Sequence, residues 1–505
     1  MRFVIKIASI LFSCLIITAF AAEPKSSTYA AITLTAEQAG ADVALMRAAL
    51  EEAHPGLYRY VPKPEIDAAF AKLEKRVKTP ITDIELYGEI SLLLATIRCD
   101  HTKAEFSDAM TKYRNESPTH LPFRFKLFDK RMFVFGGDAK SVLPRGAEIL
   151  AINDQPVRAI LDRLANAISV DGFTDASRQT KLAADSDLMG SDFDQFYPIF
   201  YGFAPRFKLS VMMPNEAHAK TVTLDAITFR EWVKLPWQST AYRDEFYKSI
   251  DWKLIGNKTA ILRIDTFVNY RNPVDPAAFY AGFFKVLNSA KVEHLIIDLR
   301  ENGGGSGDTN VALASFLLNK PFVWNKPIQQ KVIRFGAWSK YVETWGDRKE
   351  IFEPPAENFR KLSNGFYERI TSDATPDQRP NAIAADRFAG RVTVLSSPVN
   401  ASGTTMLIAK LKDEKRITIV GEATGGSAEG PTAGRLFFLK LPNSGITVRV
   451  PNYWNLMSIG AFIAGKGVAP DVEVVPTLED FLAGKDRVLD VAKTRISATN
   501  PVTAK

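Results

Sequence analysis

Three changes of hydrophobic period along the chain predict an α+β multidomain protein. Apolar residues recur at three-to-four spacing up to about Leu94, alternate with period two from about Pro122, and fall into alternating strand-like and helix-like runs after about Asp251. These changes divide the 505 residues into a leader at 1–22, a helical domain at 23–115, a β module with an insertion at 116–232, an α/β domain at 233–490 and a tail at 491–505. A composition of 46% hydrophobic and 24% charged residues is ordinary for globular chains and allows each region its own core.

The opening MRFVIKIASILFSCLIITAFAAEPKSS has a basic start at Arg2 and Lys6, an apolar centre and small residues at Ala19 and Ala21. This is the pattern of a secretory signal peptide, with cleavage expected near Ala21 or Ala22 and export to the periplasm or beyond. Arg2 and Lys6 would leave with it and no acidic residue would, so the net charge falls from +7 to +5. That mild excess is spread along the chain without a basic block, so no nucleic-acid partner is expected. No later run is long and apolar enough to predict a membrane span in the mature chain. Loss of Cys14 would leave Cys99 alone, which excludes an internal disulfide and zinc sites built on cysteine clusters.

The helical domain is expected to hold LTAEQAGADVALMRAALEEAH, which stops at His54-Pro55-Gly56, then a helix near PEIDAAFAKLEKRV, then ITDIELYGEISLLLATI. The last leads into the polar loop Arg98-Cys99-Asp100-His101-Thr102. In the β module, FRFKLF and RMFVFG read as a hairpin about Asp129-Lys130, and PRGAEILAINDQPVRAILDRLANAI as a strand, a turn and a helix. Residues 168–205 interrupt the pattern with a polar, aromatic-rich insertion before the closing strands FKLSVMM and KTVTLDAI. The α/β region alternates TAILRIDTF, AAFYAGFFKVLNSA, HLIIDL, the turn RENGGGSGD and the helix TNVALASFLL. After an irregular stretch at 320–390 come VTVL, a second helix TTMLIAKLKDEK and ITIVGEATGG, and FFLKL, ITVRV and GKGVAPDVEV are expected to complete this layer.

Chemistry concentrates at two turns. In VLSSPVNASG a strand ends at Ser-Ser-Pro and a helix follows, so Ser402 stands at a helix mouth beside unpaired N–H groups. There it is either the helix N-cap or a nucleophile beside donors for an oxyanion. The Asn302-Gly303-Gly304-Gly305 turn is either a purely structural turn or half of such a donor set, with Gly403 N–H as the other half. Phosphate-loop and dinucleotide patterns both fail at this turn, so no cofactor or metal is expected. A hydrolytic serine needs a base, and the chain holds five histidines. His294 begins a strand and His218 lies at a hairpin tip, which are surface-like places; His120 sits in a Pro-flanked linker, and His54 caps a helix end. His101, inside the polar loop, has no evident structural need for imidazole and is either a structural histidine or a base.

HLIIDLRENGGG, VLSSPVNAS, IVGEATGG and GKGVAPDVEV occur in the order found in the C-terminal-processing (tail-specific) serine peptidases, and the chain resembles that family. EEAHPGLYRY and the CDHT loop resemble its tricorn-core-like Ser-His branch, and Gly146–Val157 resembles the strand and turn of PDZ domains. The resemblance covers nearly the whole mature chain. It implies a PDZ-like β module, a crotonase-like α/β core with a mixed sheet, Ser402 as nucleophile, and Gly403, Gly304 and Gly305 as the oxyanion hole. The Ser-Lys branch carries its lysine 25 residues beyond the serine, where this chain has Ser427; Lys410 and Lys412 lack that spacing. The resemblance therefore implies His101 as base. Asp100 stands where the branch has a serine, and Asn452, in VRVPNYW, stands where it has an acidic residue that orients the pair. Asn452 and Asp100 are the two candidates for that orienting role.

The expected function is an exported serine endopeptidase cleaving polypeptides near their C-termini by Ser-His acyl transfer, the PDZ-like module capturing chain ends. The alternatives are a catalytically silent binder of peptides or apolar ligands on the same fold, and an esterase or lactamase with the same pair of residues.

Overall fold

The computed structural model describes residues 29–137, 143–183, 191–236, 245–370 and 379–499. The leader at 1–22 lies outside the described residues, as do parts of the insertion and of the 320–390 stretch.

The helices of the first domain run Ala36–Ala53, Lys63–Arg76 and Asp83–Thr96. Thr35 with Gln38, and Thr82 with Glu85, close capping boxes that satisfy the first N–H groups of two of them. Met46, Leu50, Phe70, Leu86, Ile90 and Leu94 are buried where these helices meet. The third helix ends before Arg98, whose φ of +59° breaks the helical path and sends Cys99–Thr102 out as a loop.

The β module is a six-stranded sheet, with Phe123–Phe128, Arg131–Gly137, Glu148–Ile152, Arg206–Met212 and Lys220–Asp225 in that order and Gln155–Pro156 beside the third. Every pairing is antiparallel. Asp129 and Lys130 both take positive φ, the conformation a two-residue hairpin needs. The insertion contributes helices Ala176–Ala183 and Asp192–Tyr201. One apolar core runs through the helical domain and this module.

In the α/β region, Ile250–Ile255, Thr259–Ile264, His294–Asp298, Arg391–Ser396, Ile417–Gly421 and Val472–Glu473 form a mixed sheet in that order. The first pair is antiparallel and the rest are parallel. Side chains alternate between the two faces. Leu262, Leu295, Ile297 and Val394 pack with helices Pro276–Ser289, Gly307–Leu317 and Ser402–Asp413. Ile261, Ile296, Leu395 and Val420 pack with Val488 and Ala492. Those two lie on helix Arg487–Thr499, which crosses the expected start of a tail at 491. Among the described residues no helix is long and apolar enough to cross a membrane.

One expectation is corrected. FFLKL and ITVRV do not complete the α/β layer. Leu436–Lys440 and Thr447–Pro451 form a separate four-stranded antiparallel sheet with Val342–Glu343 on one edge and Ala104–Glu105 on the other. Phe437, Leu439, Val448 and Val450 therefore enter the core of the helical domain. The reason is long-range pairing: the outer edge of ITVRV pairs with Ala104–Glu105, from the loop after the third helix, more than three hundred residues earlier.

Candidate active site

The two chemistry-bearing turns leave the carboxyl ends of adjacent parallel strands, His294–Asp298 and Arg391–Ser396, where open α/β sheets place their sites. Two buried asparagines join them. Asn400 donates from Nδ2 to Leu299 O (2.5 Å) and Asn302 O (3.1 Å), and Asn302 Nδ2 donates to Ile264 O (3.1 Å). Asn302 Oδ1 accepts from Gly304 N (2.9 Å) and Thr404 Oγ1 (2.6 Å). Both side chains are fully buried, so each bond replaces water that cannot enter.

Ser402 is the first residue of its helix; Ala401 occupies the N-cap and makes no side-chain cap bond, so the capping alternative fails. Its φ is +45°, an uncommon conformation for a residue with a side chain and one that concentrates at functional turns. Gly304 packs against it at φ +127°, and Gly305 follows at φ +141°. A Cβ on Gly304 would lie 2.8 Å from Ser402 Cβ, and one on Gly305 would lie 2.1 Å from the carbonyl carbon of Phe267. Gly304 N–H is tied to Asn302, which corrects its expected place among the oxyanion donors. Among the described residues, Gly305 and Gly403 N–H have no partner in the surrounding loop hydrogen bonds.

His101 arrives from the other end of the chain. Its Nε2 is 3.3 Å from Ser402 Oγ, and both side chains are half-buried. Among the other histidines, His218 is exposed, as expected, but His294 is buried rather than surface-like, and His120 in its Pro-flanked linker is buried too. His54 is buried too and does more than end a helix. Its Nδ1 accepts from Gly56 N (3.0 Å), so the ring proton sits on Nε2, which donates to Thr102 Oγ1 at 2.7 Å. Burial and the nearby Lys331 charge push its pKa down to about 3, so it stays neutral while bracing the residue after His101.

Residues 258–474 match the model of peptidase family S41. The chain carries a peptidase family S41 domain and is a serine-type peptidase. The crystal structure of mature CPAF shares 16% identity at a TM-score of 0.62, the alignment covering 93% of this chain and 99% of that one. Mature CPAF complexed with lactacystin gives 17%, 0.61, 91% and 98% for the same measures. A photosystem II D1 C-terminal processing protease aligns at 16% identity and a TM-score of 0.42 over 87% of this chain and 93% of its own. No curated protein sequence matches the chain. These findings give the fold and the reaction class, and they do not favour a catalytically silent binder.

In this peptidase, Ser427 is buried and sits 3.1 Å from Tyr60 Oη, which donates to Glu429 Oε1 at 2.8 Å. Glu429 also pairs with Arg59 at 3.0 Å. The place where the other branch has a lysine is thus filled by residues of the LYRY segment. Lys410 is buried and donates to Ser458 O at 2.9 Å. The Asp100 carboxylate pairs with Lys181 and, at 3.5 Å, with Lys103. Asn452 follows the strand that ends at Pro451, which pairs with the chain leaving the His101 loop through Arg449 N donating to Lys103 O, and its own N–H donates to Arg435 O. Its side chain is fully buried, and neither polar atom has a partner among the described residues.

Sequence reasoning missed Asn302 and Asn400, although both sit inside the motifs it singled out. It also missed the bracing role of His54, for which the His-Pro-Gly break was the visible sign. Asp171, in the polar insertion, carried no signal.

Proposed function

We propose that this peptidase hydrolyses polypeptides by Ser-His acyl transfer, with Ser402 as nucleophile and His101 as general base. The observation that carries the reading is the 3.3 Å approach of His101 Nε2 to a serine held in a left-handed conformation at a helix mouth. A separation slightly longer than an ideal hydrogen bond is usual before substrate binds. His101 Nε2 takes the proton of Ser402 Oγ as Oγ bonds to the scissile carbonyl carbon. The oxygen of that carbonyl becomes an oxyanion within reach of Gly403 and Gly305 N–H, where the helix dipole also favours negative charge. The imidazolium then protonates the leaving amine, and water, activated by the same ring, releases the acyl group.

The finer expectations belong to the same proposal. The six-stranded module is read as PDZ-like and the mixed-sheet layer as crotonase-like. Capture of a chain end on the module directs cleavage toward C-termini. The leader pattern at 1–22 is read as directing export to the periplasm or the extracellular space.

A fluorophosphonate probe tests the pair. It is expected to label Ser402, and Ser402→Ala and His101→Ala are each expected to abolish labelling and peptide hydrolysis. A His101→Ala protein that labels at the wild-type rate refutes His101 as base. Digestion of a peptide library with free or amidated C-termini reads the preference for chain ends.

A further inference from the structure

The base of this site is held by a segment to which neither the reaction nor the resemblance assigns a role. Ser169–Thr174, at the start of the insertion, is bonded along its length to the loop that carries His101. Ser169 Oγ donates to Thr102 O (2.8 Å), Gly172 N donates to Arg98 O (2.9 Å), and Arg98 Nη1 donates back to Gly172 O (2.8 Å). Phe173 N donates to Gly465 O at 2.7 Å, and a Cβ on Gly172 would lie 2.4 Å from Gly465 Cα, so the segment is wedged with little room to move.

At its centre is Asp171, 3% exposed. Its Oδ1 accepts the N–H of Asp100, the residue just before His101, at 2.9 Å. Its Oδ2 is buried and has no hydrogen-bond partner among the described residues. A buried carboxylate oxygen without a partner is costly unless a nearby charge compensates it. Two cations within electrostatic reach are Arg59, already paired with Glu429, and His101 itself. Asp100 is occupied by Lys181 and Lys103, and Asn452 is neutral.

We propose that Asp171 is a positioning residue of the active site: it fixes the backbone of the His101 loop and supplies the negative charge that stabilises the His101 imidazolium. Its carboxyl is pushed up by burial and by Asp100, and held down by His101 and Arg59. The neighbouring Tyr60 phenol and Cys99 thiol are both raised by burial, the thiol to about 12, so neither titrates alongside His101.

The inference rests on the Ser402–His101 reading, and its test separates the two. The rate of fluorophosphonate labelling is followed from pH 5 to 9 in the full chain, its acid limb reporting loss of the proton from His101. Asp171→Asn keeps the shape and the acceptor for Asp100 N–H but removes the charge. Its plateau rate is expected to fall about 10-fold, and its acid limb to move about one pH unit lower, because the imidazolium is no longer favoured. Asp171→Glu keeps the charge and is expected to retain the wild-type limb, so either variant is informative if the other fails to fold. Ser169→Ala, which loosens the loop without changing charge, is expected to leave the limb in place. An Asp171→Asn limb at the wild-type position, or an Asp171→Glu limb shifted down, overturns this inference alone. Wild-type labelling that does not depend on His101 overturns both.

Discussion

Gly304→Ala tests the geometry of the site most sharply, because the added methyl meets the nucleophile itself. The new Cβ would lie 2.8 Å from Ser402 Cβ, 3.2 Å from Ala401 O and 3.3 Å from Gly403 N. Carbon atoms in good contact sit at about 3.5–4.0 Å, so the serine or the glycine turn must retreat by roughly 1 Å. A displacement of that size at a reacting group costs about 100-fold in rate, equivalent to about 2.7 kcal/mol of barrier. Holding alanine at φ +127° adds strain of about 1–3 kcal/mol to the folded state. The assay pairs fluorophosphonate labelling kinetics with thermal unfolding. The expected result is a folded protein, less stable than wild type, labelled about 100-fold more slowly. Gly305→Ala is the contrast. Its Cβ would lie 2.1–2.4 Å from backbone atoms of Phe267 and Val268, which cannot rotate away, so the folded yield rather than the rate alone should collapse. A folded Gly304→Ala protein that labels within a few-fold of wild type would refute the packing argument for the site.

Two further predictions concern the frame around the site. Asn302→Ala removes the acceptor of two buried donors, Gly304 N and Thr404 Oγ1, and should lower the unfolding free energy by about 2–4 kcal/mol in urea titration; a loss under about 0.5 kcal/mol would show that the amide does not tie the two turns together. His120 is buried against Phe229 and Trp232, and burial, with Arg114 and Arg124 nearby, pushes its pKa down to about 3. The unfolded chain therefore binds one more proton at this residue between about pH 3 and 6.5, so its contribution is complete above pH 6.5 and is lost as pH falls through that window. His54 adds the same sign, and Asp194, raised to about 6 by burial, opposes it below pH 6. His120→Phe should flatten the stability–pH curve between pH 4 and 6 by about 1.4 kcal/mol per unit, measured from urea midpoints, and an unchanged slope would contradict the burial argument.

Locally encoded features were legible in the amino-acid sequence. Hydrophobic period predicts the three helices of the first domain, the Asp129-Lys130 hairpin and the parallel strands around His294–Asp298 and Arg391–Ser396, because each is set by which side chains face a core within a dozen residues. Ser402 and the glycine turn were visible for the same reason: a strand end, a helix start and residues that tolerate unusual φ lie next to each other in the chain. The absence of a lysine at Ser427, read against the family pattern, pointed to His101.

What surrounds the pair was decided only by tertiary structure. Nothing near ITVRV indicates that its outer edge pairs with Ala104–Glu105, so its place in a separate sheet emerges only when distant segments meet. The burial of His120 and His294 likewise depends on elements remote in sequence. Asp171 lies in a polar insertion without periodicity, and its carboxylate gains meaning only because the fold excludes water from it and sets it against the N–H of Asp100. The chain therefore announces the groups that react, whose chemistry is local, while the groups that hold and charge them depend on the exclusion of water by residues hundreds of positions away.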